Sequence, residues 1–109
     1  MSVFLEVCFD YSLRPAEFDE QNGPAVASMV AEVPGLEWKL WLHDEPNRHC
    51  VGVYRFVDAE HAQRYVGGNI AMFRQAPGYS NIEPRLYEVI AENTRITRGG
   101  PLLAEVSIP

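Results

Sequence analysis

Between Pro34 and Cys50 the chain reads PGLEWKLWLHDEPNRHC, which gathers two tryptophans, two histidines and a cysteine. Imidazole titrates nearest neutrality of the common side chains, so His43 and His49 are candidate general bases and, with Cys50, candidate metal ligands. The indole N–H of a buried tryptophan needs a hydrogen-bond partner. Trp38 and Trp41 therefore read either as packed core or as donors to a ligand oxygen.

The elements that must hold these groups decide between the readings. Proline and asparagine suit the central positions of a type I turn, so Glu45-Pro46-Asn47-Arg48 joins residues 36–44 and 49–57 as a β-hairpin. Centring the turn on Pro46-Asn47 sets Asp44 opposite His49, Leu42 opposite Val51, Leu40 opposite Val53 and Trp38 opposite Arg55 on one face. The other face carries His43 opposite Cys50, Trp41 opposite Gly52, Lys39 opposite Tyr54 and Glu37 opposite Phe56. A slip of one residue would exchange the two sets.

This register separates the histidines. His43 and Cys50 are two ligands, with Cys8 a third only if it approaches from the first strand, whereas zinc takes about three or four. No metal is expected, and a buried thiol beside a hydrogen-bonded or aspartate-paired imidazole is the plainer reading. Trp41 is expected to lie across the gap left by Gly52. Lys39 against Tyr54 is a cation–π pair worth about 0.5–1 kcal/mol if exposed. Trp38, among Leu40, Leu42 and valines, reads most simply as core, and Arg55 and Arg64 as ion-pairing residues.

Residues 3–11 alternate apolar and mixed positions with period two and predict a first strand. Pro15 opens a helix over 16–32 whose apolar residues are Phe18, Val26, Met29, Val30 and Val33, broken or restarted at Gly23-Pro24. Asp58 is a natural N-cap for a second helix, with Ala62, Tyr65 and Val66 on its buried face and Gly67-Gly68 weakening it. A loop over Ala76–Asn81 and a last strand over 84–92 follow. The order β-α-β-β-α-β is the ferredoxin-like α+β arrangement, a four-stranded antiparallel sheet with two helices on one face. One domain spans 1–109, with its core over about 3–92 and residues 93–109 as a tail that reads as a dimer arm. Both hairpin faces are rich in apolar groups while helices cover only one, so a homodimer is expected through the other.

Acidic residues exceed basic ones, 15 against 9, for a net charge of −6. No basic stripe is present to meet phosphates, which argues against nucleic acid as a partner. No apolar run approaches the roughly 20 residues of a membrane span. The N-terminal stretch lacks a basic lead and meets Glu6 and Asp10 early, unlike a signal peptide, so reduced thiols and a cytoplasmic location are expected. GxGxxG, P-loop, HExxH, GxSxG and CxxC motifs are absent from the sequence.

The string Pro34-Gly35-x-x-Trp38-Lys39-x-Trp41, followed by Gly52-x-Tyr54-x-Phe56-x-Asp58 and Ala62-x-x-Tyr65, resembles the YdhR family of small proteins named as monooxygenases. The likeness runs from about Val3 to Glu92. It implies a dimeric α+β barrel, two ferredoxin-like sheets face to face with helices outside. It also implies kinship with cofactor-free monooxygenases that oxidise polycyclic phenols in antibiotic biosynthesis. On that reading His43 is the base, Trp41 and Tyr54 are donors to developing negative charge, and Trp38, Phe56, Tyr65 and Phe73 contact a small aromatic or polyketide-like substrate, with no cofactor. The rival readings are a cofactor-free isomerase, cyclase or lyase using the same base, and a dimeric small-molecule-binding protein without turnover.

Overall fold

The computed structural model describes residues 2–104. Strand β1 (Val3–Tyr11) leads to helices α1 (Pro15–Asn22) and α2 (Pro24–Val30), then to β2 (Leu36–Asp44) and β3 (His49–Phe56). Helix α3 (Ala59–Tyr65) runs through a π-helical turn, Val66–Ile70, into α4 (Ala71–Phe73). Strand β4 (Tyr79–Tyr87), helix α5 (Ala91–Ile96) and a 3₁₀ turn at Gly100–Leu103 complete the described residues. The sheet is antiparallel with order β2-β3-β1-β4, the ferredoxin-like arrangement, so β2 and β4 are its edges.

The hairpin keeps the expected register from Trp38 opposite Arg55 to Asp44 opposite His49. Its turn closes through Arg48 N–H donating to the Glu45 carbonyl at 3.0 Å. The pairing departs from expectation at one residue. A bulge between Leu36 and Trp38 places Leu36, not Glu37, opposite Phe56. The bulge buries Leu36 and leaves Glu37 free to meet Arg55 (3.6 Å). Pro34-Gly35 supplies the entry to this strand. Gly35 has φ of +79°, and a Cβ there would sit 2.5 Å from the His61 ring.

The core is Leu5, Val7, Leu36, Tyr54, Phe56, Ala62, Tyr65, Ile70 and Ile82, all on the helix-facing side of the sheet or on α3 and its π turn. Asp58 caps α3 as expected, accepting from the His61 backbone N–H (2.8 Å) and lying 2.7 Å from His61 Nδ1. His61 thus occupies the place a capping-box glutamate would take. At Gly67-Gly68 the helix widens into the π turn instead of breaking, and this carries Ile70 into the core.

Two expectations need correction. The last strand begins at Tyr79, five residues before the expected start at 84, and ends at Tyr87 instead of 92. Ser80-Asn81 reads locally as a loop, yet it is a bulge opposite β1, with Asn81 at φ +53°. Pro84 is tolerated because β4 is an edge strand. Residues 88–90 lie outside it, and α5 follows. The α1–α2 pair, restarted at Gly23-Pro24 as expected, has no fully buried residue, and Met29 is 73% exposed. These helices stand off from the sheet, and the space beneath them is a cleft.

The outer face of the sheet presents Leu40 and Leu42, each nearly half exposed, beside Val51 and Val53. At one end of this face the tail turns back on its own chain. Buried Arg55 donates to the carbonyls of Leu102 (3.1 Å), Leu103 (3.3 Å) and Ala104 (2.5 Å). Of the expected dimer arm, residues 102–104 are thus held by Arg55 of their own sheet, and residues 105–109 lie outside the described residues.

Candidate functional site

Alternation along β2 sends Lys39, Trp41 and His43 to the helix-facing side, and β3 sends Cys50, Gly52 and Tyr54 to meet them. Strand β1 adds Val7 and Phe9, α1 adds Gln21 and Asn22, α2 adds Val26 and Val30, and α3 to α4 add Tyr65, Ile70 and Phe73. Together with Tyr79, and without His43 and Cys50, these line a cleft of about 410 Å³ between sheet and helices. A smaller cleft of about 210 Å³ adjoins it towards the hairpin turn and includes Phe18, His43 and Cys50. Both share Phe9, Asn22, Lys39, Trp41 and Gly52. The larger volume falls in the roughly 300–1,000 Å³ range of small-molecule sites.

At the cleft floor the Tyr54 and Tyr65 hydroxyls lie 3.1 Å apart. One must donate to the other, so one hydroxyl hydrogen of the pair has no protein acceptor among the described residues. Burial, and then the neighbouring Tyr65, pushes the Tyr54 phenol well above the ordinary tyrosine range. Burial raises Tyr65 too, so both remain protonated donors at neutral pH. Phe73 and Tyr79 pack at 4.5 Å between centroids, and Phe9 meets both edge-on, forming the opposite aromatic wall.

Lys39 occupies the junction of the clefts. Its Nζ lies 3.4 Å from the Trp41 ring centroid and 4.6 Å from that of Tyr54. Gly52 permits this placement, because a Cβ there would lie 2.9 Å from Tyr54 Cε1 and 3.0 Å from Lys39 Cε. The gap at Gly52 is thus filled by the lysine stem and the Tyr54 ring, where the sequence suggested the Trp41 indole. Burial pulls the Lys39 ammonium from 10.5 down to about 8, with the nearby Cys50 opposing weakly. Burial pushes the Cys50 thiol up to about 11, keeping it protonated.

His43 is placed differently. It is exposed, its Nε2 lies 2.6 Å from the Tyr11 hydroxyl, and its ring stacks on Phe18 at 4.6 Å. It borders the smaller cleft and the groove under the turn, not the larger cleft. His49 is on the outer face, with Nδ1 2.7 Å from the Asp10 carboxylate. Cys8 also faces outward, away from Cys50, because paired positions share a face and Cys8 pairs with Val51. Among the described residues no group of three or more His, Cys, Asp or Glu side chains is placed to hold a metal ion.

Of the residues singled out in the sequence, Trp41, Tyr54, Tyr65 and Phe73 are brought together around the larger cleft. Phe56 is fully buried and packs behind Tyr54 and Tyr65, one layer from the lining. Trp38 is on the opposite side of the sheet, edge-on to Phe4 at 5.6 Å, because alternation along β2 separates it from Trp41. Sequence reasoning gave Lys39 the cation–π contact with Tyr54 that the structure shows, but no place among the site residues, and it passed over Tyr11 and Asn22. The signal for Lys39 was available: it is the chain's single lysine, and it stands between two tryptophans.

The family model described as "Putative mono-oxygenase ydhR" matches residues 4–100. The chain belongs to this family. Solved structures share the fold at low identity. SnoaB, a cofactor-independent oxygenase from Streptomyces nogalater, superposes with TM-score 0.62 and 17% identity, covering 81% of this chain and 92% of its own. A Deinococcus radiodurans protein described as "a putative antibiotic biosynthesis monooxygenase" gives 0.61 and 14%, covering 80% and 91%. MhuD, solved as a point mutant with two manganese protoporphyrin IX per active site, gives 0.56 and 15%, covering 81% and 94%. No curated protein matches the sequence. No helix among the described residues is long and apolar enough to cross a membrane.

Proposed function

We propose that this ydhR-family protein is a cofactor-independent monooxygenase acting on a small aromatic, polyketide-like compound in the cleft between sheet and helices. The observation that carries the reading is the aromatic cleft of about 410 Å³ with the Tyr54–Tyr65 hydroxyl pair at its floor. Flat aromatic walls suit a flat aromatic substrate, and a spare hydroxyl donor suits an oxygen that gains negative charge.

In this reaction a base takes a proton from a phenol or an activated CH₂ group. The anion gives one electron to O₂, and the radical pair combines to form a C–O bond. The resulting hydroperoxide loses water as its O–O bond breaks and the second C–H proton leaves, giving a carbonyl. The net change is R₂CH₂ + O₂ → R₂C=O + H₂O. Trp41 and the tyrosine pair hold and stabilise the anion. In this reading His43, exposed at the cleft margin and joined to Tyr11, exchanges protons with solvent, which its exposure and the Tyr11 contact support.

Oxygen uptake by purified protein with 1,8-dihydroxyanthracen-9-one tests the reading. One O₂ should be consumed per quinone formed, faster than in buffer. Isomerised or cyclised product without oxygen uptake would replace it by the rival enzyme reading. Binding without turnover would leave a binding protein.

We further propose that the chain forms a homodimer through the outer sheet face. Leu40 and Leu42 there are 48% and 46% exposed, an apolar patch that pairing with a second sheet would cover. Sedimentation equilibrium should give a dimer, converted to monomer by Leu40→Glu with Leu42→Glu. An unchanged mass in the double variant would remove this interface.

A further inference from the structure

Lys39 is the one side chain lining the two joined clefts that is cationic by type apart from the imidazole of His43, and no carboxylate lines either. The groups facing it are Tyr54 and Cys50 from β3, Tyr65 from α3, Tyr79 from β4 and His43 from its own strand. Lys39 also lines the groove at the β2 edge together with Glu32 and Glu37, where Glu37 is taken by Arg55 and Glu32 makes no ion pair with Lys39. Among the described residues no carboxylate comes within ion-pairing distance of Lys39 Nζ, and its contacts are the faces of Trp41 and Tyr54. An ammonium held against π-faces without a counter-ion keeps its attraction for an incoming anion.

We propose that Lys39 is the catalytic base and anion-holding residue of the cleft, and that the substrate is an acidic phenol or enol bound there as its oxyanion. The step balances as a proton transfer. The substrate O–H bond breaks, an N–H bond forms on Nζ, and the electron pair stays on the substrate oxygen beside the new ammonium. The spare hydroxyl hydrogen of the Tyr54–Tyr65 pair donates to the same oxygen. Burial supports the base role by bringing the neutral amine within reach of physiological pH, with Lys39 at about 8. Burial likewise keeps Tyr54, Tyr65, Tyr79 and Cys50 protonated, so none of them competes as the base. The fate of the anion rests on the oxygenase reading, but its formation does not.

The test uses 4-nitrophenol, whose anion absorbs in the visible, and its methyl ether, which cannot ionise. Wild-type protein should show the phenolate band on the acid side of the free probe's own ionisation. Lys39→Met should lose that band and bind the phenol about tenfold to a hundredfold more weakly, the range for a hydrogen bond to a charged group. It should bind the methyl ether as well as wild type does. Lys39→Arg keeps the charge but accepts no proton, so it should retain KM for the anthracenone and lose kcat.

Because Lys39 is the chain's single lysine, ¹³Cε-lysine labelling gives one resonance. It should titrate near 8 in the free protein and at higher pH with the phenolate bound. A phenolate band surviving in Lys39→Met overturns the proposal, as does equal affinity of wild type for phenol and ether, or binding of neither. Phenolate binding that depends on Lys39, combined with no oxygen uptake, leaves this inference standing and removes the oxygenase reading.

Discussion

Lys39 and His43 stand on the same strand and the same face, four positions apart, yet the fold treats them in opposite ways. His43 lies near the hairpin turn, beside Phe18 of α1. It is exposed, and a hydroxyl and a stacked phenyl ring engage it. Lys39 lies deeper in the cleft, against two aromatic faces and without a hydrogen-bond partner among the described residues. By residue type the histidine is the obvious base. By environment the lysine is the perturbed group, and desolvation is what separates its chemistry from that of a surface lysine.

The sharpest way to break this contrast is to disturb Lys39 without touching it. In Gly52→Ala the new Cβ would press on Lys39 Cε and the Tyr54 ring. The lysine tail yields more easily than the packed ring, so the ammonium should leave its place over Trp41. Misplacement on the ångström scale costs about a hundredfold in rate. Turnover should fall by that order, while overpacking lowers stability by about 1–3 kcal/mol, read by urea denaturation. Unchanged turnover in a folded Gly52→Ala protein would mean that the lysine position does not matter.

A smaller loss is expected at the hydroxyl pair. Tyr54→Phe leaves the Tyr65 hydroxyl as a donor to the oxyanion, so kcat should drop roughly tenfold, short of the ~10²–10³ lost with an oxyanion donor that has no substitute. Tyr65→Phe should behave similarly, and the double variant should lose more than either. A double variant no worse than each single one would show that the hydroxyls serve packing only.

Smaller still is the effect expected at His43. Loss of a general base costs at least about a hundredfold. His43→Ala should cost far less, through slower proton exchange at the cleft margin, and should leave the rise of kcat/KM with pH around 8 in place. If instead that variant abolishes turnover, the base is His43 and the contrast between the two residues is reversed.

How far the sequence leads is clearest along the hairpin. Turn chemistry at Pro46-Asn47 and strict alternation fixed partners from Trp38 to Asp44, because a register is an all-or-none property once the turn is set. The bulge at Glu37 was invisible, since it answers to Arg55 and the returning tail, which are distant in sequence. Strand β4 was displaced for a similar reason: Ser80-Asn81 and Pro84 carry turn signals that only pairing with β1 and an edge position overrule. The family string pointed to Trp41 and Tyr54. Trp38 was grouped with them although alternation sends it to the other face. From sequence Lys39 reads only as a cation–π partner of Tyr54, because burial at a sheet edge depends on where α2 and the π turn lie above it.

The remaining expected effect is thermodynamic and isolates Lys39 from the rest. Its folded value of about 8 lies below the unfolded 10.5, so the unfolded chain binds more protons between those limits. Below about pH 8 the lysine is charged in both states, and the folded state bears the whole cost of burying the ammonium. As pH rises from about 8 towards 10.5 that cost is relieved, and stability should rise. Cys50 works against this, since its raised value of about 11 means that stability is lost as pH passes from 9.0 upward. The raised tyrosines act in the same direction as Cys50. Lys39→Met retains all of them, so the wild type minus Lys39→Met difference, followed by urea denaturation, cancels the tyrosine contribution and leaves of the Cys50 contribution only its coupling to Lys39. That difference should shift in favour of wild type between pH 8 and 10.5. A difference that stays flat would place the Lys39 ammonium in water, and the base would then have to be sought elsewhere in the cleft.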